Sequence, residues 1–201
     1  MSFPAMASQI SSLPWATRVP WWRNISGTEA ALPHRTPITV HYAYEEELLG
    51  TAGAIKNAGR FVTEDSFFVL NADTFYQIDY SRLVTMQQES DLDMALVLRE
   101  VPDVSRYGAA VLTNGRLTGF NEKTAQAKPG TINGGVYLMK RALLDEIPAG
   151  KVSLENEMIP KWLSEGRPLG GFVNDGYFID IGIPEAYYQF IEDVERGVVV
   201  W

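Results

Sequence analysis

Cysteine is missing from all 201 residues, which excludes disulfides, thiolate nucleophiles and Cys-ligated zinc. Histidine occurs twice, at His34 and His41, and neither has a catalytic partner at a recognisable spacing. No apolar run approaches the about 20 residues that a membrane-spanning helix needs. The N-terminus lacks a basic start followed by an unbroken apolar segment, so no secretory signal is read and a cytoplasmic location is expected. There is no surplus of positive charge either. The net charge of −8 argues against nucleic acid or an anionic membrane as partner for the whole surface, though a local basic pocket is compatible with it. What is present is a chain 46% hydrophobic and 21% charged, long enough to bury a sizeable core as one domain.

Two regimes meet near residue 36. Residues 1–36 combine prolines, the tryptophans Trp15, Trp21 and Trp22 and scattered serines, with no period of 2 or 3.6, and read as an irregular segment. Residues 37–201 read as the folded domain. "ITVHYAY" alternates as a strand does, and "TAGAIKNAG" reads as a short helix stopped by Gly59. "FFVL" is a buried strand, "YSRLVTMQQES" a surface helix and "DMALVLRE" another strand. "YGAAVLTNGRLTGFNE" is a hairpin turned at Asn114-Gly115. "INGGVYLMK" gives a strand, "RALLDEI" a short helix ended by Pro148, and "LENEMIPKWLSEG" one amphipathic helix. "LGGFVN" and "GYFIDIG" are strands, and "PEAYYQFIEDVERG" is a helix begun by Pro184. Strands alternating with helices predict a mainly parallel α/β sheet covered on both faces.

Asp73 stands just past the apolar strand "FFVL", and Asp180 ends "GYFID". Ligands of open parallel sheets bind beyond the carboxyl ends of the strands. Two carboxylates on separate strand ends could share one hard ion, because Mg2+ takes one or two protein carboxylates and completes its shell with water and phosphate oxygens. An aspartate after a strand is also an ordinary turn former or helix cap.

Seven segments in order resemble the sugar-1-phosphate nucleotidyltransferases, in particular the bacterial heptose- and mannose-1-phosphate guanylyltransferases. They are "ELLGTAGAIKNA" (47–58), "FFVLNADTF" (67–75), "SRYGAAVL" (105–112), "GFNEKT" (119–124), "INGGVYLM" (132–139), "SLENEMIP" (153–160) and "GYFIDIGIPEAY" (176–187). The resemblance implies a three-layer, Rossmann-like mixed-sheet fold of the nucleotide-diphospho-sugar transferase type. It implies transfer of a nucleotidyl group, GMP from GTP, to a sugar 1-phosphate, with release of pyrophosphate, in lipopolysaccharide or capsule biosynthesis. By the same resemblance Gly50, Thr51, Ala52 and Gly53 approach the nucleobase and ribose, and Asp73 and Asp180 bind Mg2+. Tyr107 and Gly108 lie near the sugar. Glu122 binds sugar hydroxyls and Lys123 contacts phosphate, while Asn133, Gly134, Gly135 and Glu155 are further sugar contacts. A homo-oligomer is compatible with the family. "GTAGA" and "NEK" on their own would read as packing and as a solvated turn.

The chain departs from the family in three places. Thr124 follows Lys123 where proline is usual. The opening glycine-rich loop, G-G-x-G-T-R-L-x-P, and the Pro-Lys pair after it have no counterpart before "ITVHYAY"; the one Pro-Lys, Pro160-Lys161, lies far downstream. That loop cradles the triphosphate with backbone N–H groups, so the domain is expected to be N-terminally truncated, with a shifted start as one account. Weak or no transferase activity is expected of the chain as it stands. Absence of the first central strand would expose strand edges unless residues 1–36 or another chain fill the gap. Three functions therefore stay open: the transferase, a remnant or sugar-phosphate-binding module, and a metal-dependent glycosyltransferase. The last usually carries Asp-x-Asp, where "NADTF" has a single aspartate.

Overall fold

Alternation along the central strands sorts the core into two layers. The structure, a computed structural model, describes residues 5–8, 29–30, 38–105, 109–121 and 128–199. The strands are β1 (Ala5–Ser8), β2 (Glu29–Ala30), β3 (Ile38–Thr39), β4 (Ser66–Asn71), β5 (Thr74–Tyr76), β6 (Met94–Val101), β7 (Ala109–Thr113), β8 (Arg116–Asn121), β9 (Gly130–Lys140), β10 (Leu169–Val173) and β11 (Phe178–Asp180). The helices are α1 (Gly50–Ala58), α2 (Tyr80–Glu89), α3 (Leu143–Glu146), α4 (Ile159–Ser164) and α5 (Pro184–Glu195). Phe67 and Val69 of β4, Leu96 and Leu98 of β6, and Tyr137 and Met139 of β9 face α1, α3 and α4, packing on Ile55, Leu143 and Trp162. Their neighbours Phe68, Ala95, Val97, Val136 and Leu138 face the other way, against Leu83 of α2. Helices on both faces are as expected. Among the described residues no helix is long and apolar enough to cross a membrane.

The main sheet runs β1-β4-β9-β6-β10-β8-β7, and it is mixed rather than mainly parallel. β1 pairs parallel with β4, and β10 parallel with β6. β9 lies antiparallel between β4 and β6. The reason is connectivity: a parallel return needs a long crossover, usually a helix, and a hairpin occupies the stretch between β6 and β9 instead. That hairpin turns at Asn114 and Gly115, both at positive φ (51° and 76°), the geometry Asn-Gly favours.

Several sequence expectations are corrected. Residues 1–36 are not wholly irregular, because Ala5–Ser8 pairs with Phe68–Asn71 and supplies a strand beside β4. "ITVHYAY" forms a strand only at Ile38–Thr39, paired with Glu29–Ala30. α1 ends at Gly59 as expected, though not through a left-handed turn. Its φ is −57° and a 3-10 turn, Gly59–Phe61, begins there; a β-carbon at Gly59 would lie 2.7 Å from the end of the Leu144 side chain. "LENEMIPKWLSEG" is two elements, a π-helical turn (Leu154–Met158) and then α4. Pro160 has no N–H to give the carbonyl four residues back, and Met158 N–H reaches five residues back to the Ser153 carbonyl at 3.1 Å.

Candidate active site

β4 ends at Asn71, and after two residues the chain resumes as β5, which pairs antiparallel with β11. Asp180 is thereby set opposite Thr74 and Ile179 opposite Phe75. The Ile181 N–H donates to the Asp73 carbonyl at 2.8 Å, closing the two loops together. Asp180 Oδ1 accepts the Gly182 N–H at 2.9 Å. A β-carbon built on Gly182 would stand 3.0 Å from Asp180 Oδ1 and 3.7 Å from Asp73 Oδ2. The two carboxylates therefore converge on one point that glycine leaves open. Both residues are exposed, and among the described residues neither forms an ion pair with lysine or arginine. No group of three or more potential metal ligands occurs among the described residues. A two-carboxylate, all-oxygen donor set suits Mg2+, which keeps much of its shell for water and phosphate.

This small sheet is held firmly. Tyr76 is buried, and its hydroxyl sits between the Leu98 and Asn174 carbonyl oxygens. On the outer side Phe190 of α5 packs against Phe75, ring centroids 5.0 Å apart. The Tyr177 hydroxyl donates to Asp193 Oδ2 at 2.6 Å. Burial, and then the Asp193 carboxylate accepting from it, push the Tyr177 hydroxyl up to about 12.

A second cluster lies on the other face. Glu155 is the second residue of the π-helical turn, an irregularity common at functional sites. Its Oε2 accepts the Thr51 hydroxyl at 2.7 Å, and its Oε1 accepts the Tyr137 hydroxyl at 3.0 Å. Asn133 donates its Nδ2–H to the Tyr137 oxygen, and its Oδ1 accepts the Gly135 N–H at 3.0 Å. Thr51 Oγ1 in turn accepts the Leu154 N–H. Burial first, and then the negative charge of Glu155, hold the Tyr137 hydroxyl well above the usual tyrosine range, so it stays a proton donor. Thr51, Asn133 and Glu155, expected at different ends of one substrate site, are thus joined through one tyrosine.

The glycines have steric reasons of their own. A β-carbon on Gly50 would lie 2.6 Å from the Val152 carbonyl oxygen, and one on Gly53 2.4 Å from that of Gly150. The Ala52 and Gly53 N–H groups donate to the Val152 carbonyl at 3.0 and 3.3 Å. Small residues at 50–53 thus seat the start of α1 on the loop before Glu155, whatever else approaches them. Gly134 is as confined, because its β-carbon would lie 2.5 Å from the Tyr76 ring. Gly135, at φ +73°, sits where β9 spends four residues against two of β6, Leu96 opposite Tyr137 but Leu98 opposite Asn133.

Tyr107, Gly108, Glu122 and Lys123 lie outside the described residues. Their described neighbours Ala109 and Asn121 pair with each other, and Ala109 pairs with Ile132, next to Asn133. Tyr137 and Tyr177 were not among the expected site residues; the one available signal for Tyr137 was a hydroxyl-bearing ring four places after Asn133 in a run otherwise apolar. A cavity of about 550 Å³ lined by Lys56, Arg60, Lys140 and Arg141 opens at the opposite ends of the strands and contains none of these groups.

The chain's similarities run in the same direction. A family model described as nucleotidyl transferase matches residues 22–197. The chain is 36% identical over 162 residues to the D-glycero-alpha-D-manno-heptose 1-phosphate guanylyltransferase of Aneurinibacillus thermoaerophilus, covering 80% of this chain and 70% of that protein. It is 34% identical over 154 residues to the enzyme of the same name from Campylobacter jejuni, covering 77% and 67%. Among solved structures, HddC from Yersinia pseudotuberculosis complexed with GMP-PN is 36% identical with a TM-score of 0.65, over 75% of this chain and 64% of that one.

Proposed function

This chain belongs to the nucleotidyl transferase family, and from that premise we propose that its site serves transfer of GMP from GTP to a sugar 1-phosphate of the heptose or mannose type. A phosphate oxygen of the sugar 1-phosphate attacks the α-phosphorus of GTP in line. The new O–P bond yields a GDP-sugar, and the bond to the β-phosphate breaks with its electron pair leaving on pyrophosphate. No general base is required, since the attacking oxygen is already anionic near neutral pH. Positioning and charge neutralisation carry such a reaction.

Convergence of Asp73 and Asp180 on the open point beside Gly182 is the observation that carries this reading. These two residues would hold Mg2+, which when bound supplies positive charge against the α-phosphate. Lys123 would hold the phosphate of the nucleophile. Glu122, Asn133 and Glu155 would grip sugar hydroxyls, with Tyr107 and Gly108 beside them, and the backbone at Gly50, Thr51, Ala52 and Gly53 would flank the base. The names of the similar proteins, and the GMP-PN bound to HddC, support guanine and a manno-configured sugar.

A second reading has an observation of its own. Thr51, Asn133, Tyr137 and Glu155 are joined by hydrogen bonds, whereas these 201 residues contain no glycine-rich triphosphate loop. The chain by itself would then bind sugar phosphate without turning GTP over. Calorimetry of the chain with mannose 1-phosphate, D-glycero-D-manno-heptose 1-phosphate and GTP, each with Mg2+, separates the two. Binding of sugar 1-phosphate and GTP supports the transferase, and sugar 1-phosphate alone supports the binding module. Binding of none of the three overturns both.

A further inference from the structure

We infer that Tyr137 is a positioning residue for the sugar 1-phosphate: its hydroxyl locks Asn133 and Glu155 into one hydrogen-bonded frame that extends to Thr51 at the head of α1. The inference rests on the proposed role of Asn133 and Glu155 as sugar contacts. The direction of both bonds at the Tyr137 hydroxyl follows from its single proton. An ionised carboxylate only accepts, so the Tyr137 O–H points at Glu155 Oε1. Its oxygen lone pair is then left for Asn133 Nδ2. That fixes which way the Asn133 amide is turned, with Oδ1 towards the Gly135 N–H. The other carboxylate oxygen of Glu155 is fixed from the far side by Thr51.

A buried tyrosine needs a partner for its hydroxyl in any case; Tyr76 has the backbone carbonyls of Leu98 and Asn174, with the Arg99 and Asn174 side chains also beside it. Tyr137 is 1% exposed yet turns to two side chains that are themselves only half-buried. Its hydroxyl therefore reaches from the core to groups with hydrogen-bonding capacity still open to a ligand. Preorganised partners bind more tightly because less freedom is lost on binding. Without the hydroxyl, Asn133 loses its orienting acceptor, and Glu155 loses the donor on Oε1, keeping only Thr51 and Ser153 on Oε2.

The test is Tyr137→Phe in the full chain, titrated by calorimetry with mannose 1-phosphate and D-glycero-D-manno-heptose 1-phosphate well below both melting temperatures. The expected result is a Kd raised about tenfold, the effect of roughly one lost hydrogen bond to a charged group. In the double variant with Glu155→Gln, the losses should be far from additive, because both changes cut the same frame. A lowered melting temperature with Kd unchanged would make Tyr137 merely structural and overturn the inference while the proposed function stands. A wild-type chain that binds neither sugar 1-phosphate overturns both together. If Tyr137→Phe does not fold, Thr51→Val cuts the frame at its other end and decides in its place. Kd raised about threefold or more supports the frame, and unchanged Kd overturns it.

Discussion

Tyr177 donates its hydroxyl to Asp193, and this one bond ties the approach to β11, and so to Asp180, onto helix α5. The folded-state pKa of Tyr177 is raised to about 12, above the ordinary tyrosine value of about 10. A raised pKa means the stabilisation is fully present below pH about 10 and is lost as pH climbs through about 12. Tyr177→Phe should therefore melt about 2–4 °C below wild type at neutral pH, for a hydrogen bond worth about 1 kcal/mol. The gap should close between pH about 10 and about 12. Thermal melts of both proteins across that range check it; a gap constant to pH 12 would count against the bond.

Asp73→Asn and Asp180→Asn should each abolish the Mg2+ dependence of GDP-mannose binding. The expected loss is about tenfold or more in affinity with Mg2+ and little change without it. Because both oxygens serve one point, the double variant should be scarcely worse than either single one. Calorimetry with and without Mg2+ reads this directly, and additive losses would mean that the two carboxylates act separately. Neither variant should lower thermal stability much, since both side chains are exposed.

Gly53→Ala and Gly50→Ala should each cost about 1–3 kcal/mol, because the new methyl meets a backbone carbonyl that cannot step aside. Gly50 should be the worse of the two, since its φ of +69° adds backbone strain. Urea unfolding midpoints measure both. Gly166→Ala is the control: φ is +73° there but nothing lies within 4 Å of the added carbon, so it should report strain alone.

Pyrophosphate release by the 201-residue chain from GTP and mannose 1-phosphate should be slow. Each phosphate donor that a glycine-rich loop would have supplied is worth about 100-fold or more in rate. A coupled pyrophosphate assay tests this, and turnover matching that of a guanylyltransferase carrying the loop would contradict it.

How far the fold could be read from sequence depended on how local each signal was. Helix α2 was legible in "YSRLVTMQQES" and the β7–β8 hairpin in Asn114-Gly115. The cap that starts α2, Asp79 accepting from the Ser81 and Arg82 N–H groups, is a local signal on which that expectation did not rest. The direction of β9 depends on which strands flank it, and no residue inside "INGGVYLMK" carries that information. "ITVHYAY" has the right alternation, but a strand also needs a partner edge, and among the described residues β3 finds only the two residues of β2. Asp73 and Asp180 could be singled out because they stand at strand ends, and the structure brings both carboxylates near Gly182. Tyr137 could not, because its ring satisfies the apolar pattern of β9 and conceals what its hydroxyl does. The small residues of "GTAGA" were legible as a constraint but not as to its source, which is the backbone of residues 150–152.

The reversed course of β9 also governs how the chain must assemble. β4 and β6 both leave the ribosome before the strand that will separate them, so the edges that face β9 wait with open N–H and C=O groups until residue 140 has been made. Their ladders with β9 join residues as distant as Ser66 and Lys140, and such long-range pairing is slow and exposed to aggregation while it waits. Pulse-labelling during refolding should accordingly find the amides of β4 and β6 that bond to β9 protected late and together, at the moment β9 slots between them.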